Sequence, residues 1–420
     1  MIAIVHGSRA ECFVLPRQTR KNDFARRLAD LEIRYVMQSL REFARTWKGM
    51  RAFKKLPPDH KTLVVYSEGG ESSPHLMPIV EALVGRHNVP VVYLTSDIND
   101  TVLNNSLAGV HTFYIGQGVV RTWLFTTLEA GFLLMTMPYL ETFHIKRSVH
   151  PVHYIYTHHS MVSTHMIYRK AAFDHFDTVF CVGPHHVREI RETEKQYGLK
   201  AKTLFHHGYP RLDALAARAA DALNSNHAGT LQRILVAPSW GPNGLLETNG
   251  DDLVGQLLEL GFHVTVRPHP MTRRQAREKL AQLQERFRGH PNFAFEGDVA
   301  DTQSLLQADL MVSDWSGAAL EYAFCRERPV LFVDVPRKVN NPDWQEIGLE
   351  PIEASIRDKI GMIVRPDEFG KLERIVRDLI ENNEVYRDRI QSARDEYVYN
   401  YRESANGAAD YLAALVSTNG

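Results

Sequence analysis

Four polar clusters carry the residue types that could do chemistry: Thr157-His158-His159-Ser160, His206-His207-Gly208-Tyr209-Pro210-Arg211-Leu212-Asp213, Arg267-Pro268-His269-Pro270 and Ser313-Asp314-Trp315-Ser316-Gly317. Each follows a short apolar run of strand character, and open α/β sheets bind ligands outside the carboxyl ends of their strands. Ser316 and Gly317 open a helix-like stretch, 318–324, so a hydroxyl, bare backbone and unpaired N–H groups meet there, which suits a phosphate. An ordinary helix cap uses the same residues and holds no ligand. Two histidines from facing strand ends suit a division of labour. One neutral imidazole takes a proton from an attacking hydroxyl, and another donates to a phosphate gaining charge. That placement singles out His159 and His269, with His158 an adjacent competitor. Ser239 and Trp240, after the run 234–237, can line the same cleft. Arg211 and Asp213 read equally well as an ion pair and as substrate contacts.

More than half of the 20 histidines lie between His144 and His207. No HExxH or cysteine-rich spacing accompanies them, so no protein-bound metal is expected. Cys12, Cys181 and Cys325 are too few and too scattered for a disulfide framework and fit a reducing, cytosolic setting. The net charge of -1 gives no global argument for a nucleic-acid partner.

The elements that must position these clusters alternate. Strands are expected at 63–66, 90–95, 112–114, 154–156, 178–182 and 203–205, with a helix at 74–84 and a buried helix at 123–135. A polar, aperiodic stretch at 224–230 reads as a linker. Beyond it come strands at 234–237, 264–267, 310–312 and 330–333, and helices near 246–260, 272–287, 367–381, 385–397 and 405–416. This predicts two doubly wound parallel-sheet domains, 57–223 and 231–397, with a C-terminal helix in 398–420. A length of 420 residues agrees with two cores.

Residues 1–56 differ in character. They are strongly basic, and apolar residues including Met37, Leu40, Phe43 and Trp47 recur at helical spacing. Such a helix suits an anionic membrane surface; packing on its own domain with a solvated basic face is the other reading. The N-terminus lacks the pattern of a secretion signal. The apolar stretch 123–140 is too short, and too interrupted by Glu129 and Pro138, for a membrane span.

The strings GYPRLD (208–213), ILVAPSW (234–240), RPHP (267–270) and SDWSGAALEYA (313–323) together resemble the CDP-glycerol glycerophosphotransferase family, which includes teichoic acid primases and polymerases and related capsule or O-antigen enzymes. The resemblance runs from about residue 154 to the C-terminus. It implies a GT-B fold with two Rossmann-like domains facing a cleft, the nucleotide held mainly by the second, and peripheral association with the cytoplasmic membrane face. By motif, His159 resembles the base and His269 the diphosphate contact. Arg267, Ser239, Ser313, Asp314, Ser316 and Gly317 fall in the donor and phosphate region, and Glu321 resembles an acid that can contact a ribose. Two strings depart from the pattern. The family's His-Gly-Thr-Pro-like string is here His159-Ser160-Met161-Val162, and its Asp-Tyr-Ser-Ser turn has Trp315 and Gly317.

The expected activity is transfer of a polyol phosphate from a CDP-alcohol such as CDP-glycerol to a hydroxyl of a lipid-linked or surface glycan, with no further cofactor. The alternatives are a GT-B glycosyltransferase or nucleotide-sugar epimerase, and a catalytically inert membrane scaffold.

Overall fold

The structure is a computed structural model that describes residues 21–105, 107–142, 145–224, 232–297 and 302–418, with backbone alone at 21–36 and 221–224. Apart from Asn224, the expected linker at 224–230 lies outside the described residues.

The first sheet contains β1 (Leu63–Ser67), β2 (Val91–Thr95), β3 (Val110–Tyr114), β4 (Phe132–Met135), β5 (His153–Thr157), β6 (Thr178–Cys181) and β7 (Thr203–His206). All seven strands are parallel, in the order β3-β2-β1-β4-β5-β6-β7. The second holds β8 (Arg233–Val236), β9 (His263–Val266), β10 (Phe293–Phe295), β11 (Leu310–Ser313), β12 (Val330–Val333) and β13 (Gly361–Val364), also parallel, in the order β10-β9-β8-β11-β12-β13. Each sheet reverses direction at its centre, beside β1 and β4 or beside β8 and β11. Such switch points leave an open crevice at the strand ends.

The buried helix expected at 123–135 is two elements. A helix spans Val119–Thr126, and β4 follows as a central strand. Phe132, Leu133, Leu134 and Met135 are buried on both faces, and such a run has no alternation to separate it from a helix. Gly131 marks the break, because a β-carbon there would stand 2.9 Å from the Thr62 carbonyl oxygen of the neighbouring segment. The helices expected at 246–260 and 272–287 are likewise interrupted, at Asn249 and Ala276.

Two features tie the sheets together. Helix Pro210–Asn224 places Leu212, Leu215 and Ala216 in one apolar cluster with Leu320, Ala323 and Phe324 of helix Gly317–Arg326. The closing helix, Ser404–Thr418, returns to the first sheet and packs Ala408 and Leu412 with Leu76 and Leu83 of helix Ser73–His87.

Candidate active site

The carboxyl ends of both sheets open on one cleft of about 1360 Å³. The first domain contributes the loop after β1 (Glu68 to Ser72), Thr136 after β4 and His159 after β5. The second contributes Ser239 and Trp240 after β8, Arg267 and His269 after β9, and Ser316 and Gly317 after β11. Of the two adjacent histidines, only His159 lines the cleft. Successive side chains leaving a strand point to opposite sides, and His158 turns inward. There it packs against His186, with ring centroids 4.0 Å apart, and against Tyr156 and Phe173.

The His159 ring is oriented by its Nδ1, which lies 3.2 Å from the Thr136 carbonyl oxygen. A carbonyl only accepts, so Nδ1 carries the proton and Nε2 keeps its lone pair. The ring is reached by solvent along the cleft, yet protein surrounds it on its other sides. That loss of solvation lowers its pKa below the ordinary histidine value, against a smaller upward pull from the Thr136 hydrogen bond. His159 is therefore a neutral imidazole with a free lone pair, the form a general base requires.

His269 has the opposite tautomer. Its Nδ1 accepts the Met271 N–H at 3.1 Å and caps helix Pro270–Gln275, so the proton of the neutral ring sits on Nε2. Burial first, then the charges of Lys338 and Arg274, push its pKa down to about 3. The Lys338 ammonium sits 4.4 Å from the centre of the Trp240 ring, whose centroid is 6.0 Å from that of His269. Burial draws Lys338 down to about 8, against opposing pulls from Asp314, Glu353 and Glu247. With Arg267, Arg273, Arg274 and Arg277 it makes the second-domain side of the cleft cationic.

At the cleft floor Glu321 accepts Arg211 Nε at 3.1 Å and the Tyr209 hydroxyl at 3.0 Å, and that hydroxyl also lies 2.9 Å from the His159 carbonyl oxygen. The ion pair of Arg211 thus crosses between domains to Glu321, which in turn raises the Arg211 pKa. It does not run to Asp213. Asp213 lies away from the cleft and accepts the backbone N–H groups of Arg402 and Ser404, the latter at 3.0 Å.

The Ser316 hydroxyl caps its helix by accepting the Ala318 N–H at 3.3 Å, and it lines the cleft as well. Ser313 and Asp314 do not line it. The Ser313 hydroxyl donates to the Ala237 carbonyl at 2.9 Å, and buried Asp314 accepts the N–H groups of Ser239 and Trp315, both at 2.6 Å, and of Leu245. These two residues hold the loops after β8 and β11 in shape from behind. Trp315 is largely core, its Nε1 donating to the Val335 carbonyl at 3.0 Å.

The string Ser67-Glu68-Gly69-Gly70, which the sequence already sets at the carboxyl edge of the first strand, brings Glu68 into the cleft, although the sequence assigns it no role. Sequence reasoning missed His75, Lys338 and Asp97, which also line the cleft and stand in no local motif. Among the described residues, no group of three or more His, Cys, Asp or Glu side chains is arranged to hold a metal ion.

Comparison with known proteins bears on the family and the fold. The model of the family described as CDP-Glycerol:Poly(glycerophosphate) glycerophosphotransferase matches residues 111–337, more than half of the chain. A comparison with curated proteins gives no match. Among solved structures, UDP-GlcNAc 2-epimerase of Methanocaldococcus jannaschii with UDP-GlcNAc and UDP is similar at 13% identity and a TM-score of 0.53, over 85% of this chain and 99% of that one. The Neisseria meningitidis UDP-GlcNAc 2-epimerase bound to UDP-GlcNAc shares 13% identity with a TM-score of 0.54, over 85% and 99%. S. aureus MnaA with UDP gives 13% and 0.54, over 86% and 96%. These likenesses show the fold, a GT-B pair of Rossmann-like domains.

Proposed function

Because the chain belongs to the CDP-glycerol:poly(glycerophosphate) glycerophosphotransferase family, we propose that it moves glycerol phosphate, or a similar polyol phosphate, from a CDP-alcohol to a hydroxyl of a lipid-linked or cell-surface glycan and releases CMP. The observation that carries this reading is the pair of opposite tautomers at His159 and His269 on the two walls of the cleft. In the step, His159 Nε2 removes the acceptor hydroxyl proton while that oxygen attacks the distal phosphorus. The bond from this phosphorus to the bridging oxygen breaks, and CMP leaves with the bond's electron pair. His269 donates Nε2–H to a non-bridging oxygen, and Arg267, Lys338 and the Ser316-capped helix start face the same charge. Incubating the full chain with CDP-glycerol and a glycan acceptor tests the reading: CMP release supports it, and turnover of a nucleotide sugar in its place contradicts it.

The second reading, a nucleotide-sugar enzyme, draws on Glu321, which lines the cleft one turn into the helix that follows the donor loop. Its carboxylate is already engaged by Arg211 and Tyr209, which favours the first reading. Thermal stabilisation separates the two: CMP or CDP stabilises a CDP-alcohol enzyme, and UDP stabilises the alternative.

The same reading places the protein on the cytoplasmic face of an anionic membrane. No described helix is long and apolar enough to cross one. Support for a surface contact comes from helix Lys21–Lys54, on which Met37, Leu40, Phe43 and Trp47 are exposed beside exposed Arg41, Arg45 and Lys48. Trp47 stacks on exposed Trp123 with ring centroids 5.6 Å apart, so the helix and the start of the stretch 123–140 form one patch.

A further inference from the structure

One loop of the second domain is held at its far end by the first. It leaves β12, runs through 334–343 and carries Lys338, whose ammonium lies against Trp240 in the cleft. Near the loop's start the Val335 carbonyl accepts Trp315 Nε1–H at 3.0 Å, inside the second domain. The other end crosses the interface. The Asn340 and Asn341 N–H groups both donate to the Met166 carbonyl at 3.1 Å, Asn340 Nδ2 donates to the Ile167 carbonyl at 2.9 Å, and Asn341 Nδ2 donates to the His165 carbonyl at 2.8 Å.

These acceptors close helix Thr164–Ile167 of the first domain. So short a helix cannot satisfy its last carbonyls from within, and the second domain's loop takes them. The helix is a fixed anchor, because Glu189 of the first domain accepts both the Thr164 N–H and, at 2.7 Å, the Thr164 hydroxyl. Asn341 is committed at both ends of its amide: while Nδ2 donates across the interface, Oδ1 accepts the Asp343 N–H at 3.2 Å. It is 4% exposed and does not line the cleft. A buried polar side chain satisfied in this way fixes geometry. Val339, between Lys338 and these bonds, is 40% exposed, so its side chain does little to hold the middle of the loop.

We propose that Asn340 and Asn341 are positioning residues for the donor nucleotide: they clamp the Lys338 loop to the first domain, so that Lys338 meets the diphosphate only while the two domains are docked on each other. The first domain thereby adds to donor affinity through a loop that belongs to the second. Coupling of this kind is reciprocal, so a diphosphate that binds Lys338 tightens the Asn340 and Asn341 bonds by the same free energy. The role rests on the donor site of the transfer reading and names what holds one of its cations in place.

A double-mutant cycle on nucleotide binding tests the clamp, by calorimetric titration of the full-length protein with CDP and, separately, with UDP. Asn341→Asp keeps the acceptor for the Asp343 N–H and loses the donor to the His165 carbonyl. With the nucleotide that the parent binds, Asn341→Asp and Lys338→Met should each raise Kd about tenfold, and the double variant should be no weaker than either single one. Should Asn341→Asp fail to fold, Asn340→Ala takes its place in the cycle, since it removes only the side-chain bond to the Ile167 carbonyl. Hydrogen exchange adds a readout that a merely structural role would not move: the nucleotide should slow exchange of the Asn340 and Asn341 amides in the parent and not in Lys338→Met. Additive losses in the cycle, an unaltered Kd in any of the variants, or equal protection in the two proteins would overturn the clamp. Binding of UDP and not CDP would overturn the CDP-alcohol donor while the cycle with UDP still decides the clamp, and binding of neither would overturn both.

Discussion

Gly317, at the start of the second-domain helix, faces Ser160 of the first domain so closely that a β-carbon on it would stand 2.7 Å from the Ser160 hydroxyl oxygen. These are two of the positions at which the chain departs from the family strings it resembles, and the departures are matched. A serine replaces glycine on one wall of the cleft, and a glycine replaces serine on the other. Gly317→Ser alone should therefore lower kcat/KM at least tenfold, because backbone or the Ser160 side chain must shift. Adding Ser160→Gly should recover most of that loss. A double variant no better than the single one would show that the positions are independent.

His159→Ala should reduce kcat by about 10²–10⁴-fold through loss of the base. His269→Ala should cost about 10²–10³-fold through loss of a charge-stabilising donor. Because burial lowers the His159 pKa, the neutral, active form persists below the ordinary histidine value. The acid limb of kcat/KM should accordingly lie under pH 6.5. His269, held at about 3, adds no second limb near neutrality.

Lys338 supplies the alkaline limb. Its charge is present below about 8 and is lost as pH rises through that value, so kcat/KM for the donor should fall there. Lys338→Arg should move the limb upward, and Lys338→Met should remove it and raise donor KM about tenfold at pH 7. A pH profile identical in all three proteins would exclude a role for this ammonium.

The domain interface holds a carboxyl that resists ionisation. Glu353 accepts the Ser163 N–H at 3.0 Å and its hydroxyl at 3.1 Å, while its other oxygen is buried with no partner. Burial raises its pKa to about 7. With the folded value above the unfolded one, its contribution to stability is full below about pH 4.5 and declines as pH rises through about 7. Glu353→Gln should be more stable than the parent at pH 8, by about 3 kcal/mol, with that gain gone at pH 4.5. Denaturant titration at the two pH values measures the difference.

The membrane contact is best probed by point changes. Met50 and Phe53, further along the helix that carries Trp47, are 1% exposed in the first domain's core, so deleting residues 1–56 would uncover that core as well as remove the patch. Phe43→Glu with Trp47→Glu should abolish sedimentation with anionic liposomes and leave the melting temperature within a few degrees. Unchanged sedimentation would move the contact elsewhere.

Most of the strands were legible because they are short apolar runs bounded by polar turns, and a parallel sheet buries both faces of each run. That same burial hid β4, whose Phe-Leu-Leu-Met run has no alternation to distinguish it from the helix before it. The polar clusters at the strand ends marked the cleft, since the residues just past a parallel strand project into it. They did not reveal which member of each cluster turns outward: His158 and His159 differ by the pleat alone, and Asp314 and Asp213 spend their oxygens on backbone N–H groups of segments distant in sequence. His75 and Lys338 enter the cleft only through tertiary packing, which leaves no periodicity or motif to read.

The most direct measurement follows phosphorus by NMR in a mixture of the full-length protein, CDP-glycerol, UDP-GlcNAc and octyl N-acetyl-β-glucosaminide, with the His159→Ala variant alongside. The account predicts loss of the CDP-glycerol diphosphate, appearance of CMP and a new phosphodiester on the glycoside, UDP-GlcNAc intact, and no reaction in the variant. Consumption of UDP-GlcNAc with CDP-glycerol untouched, or a variant as active as the parent, would contradict it.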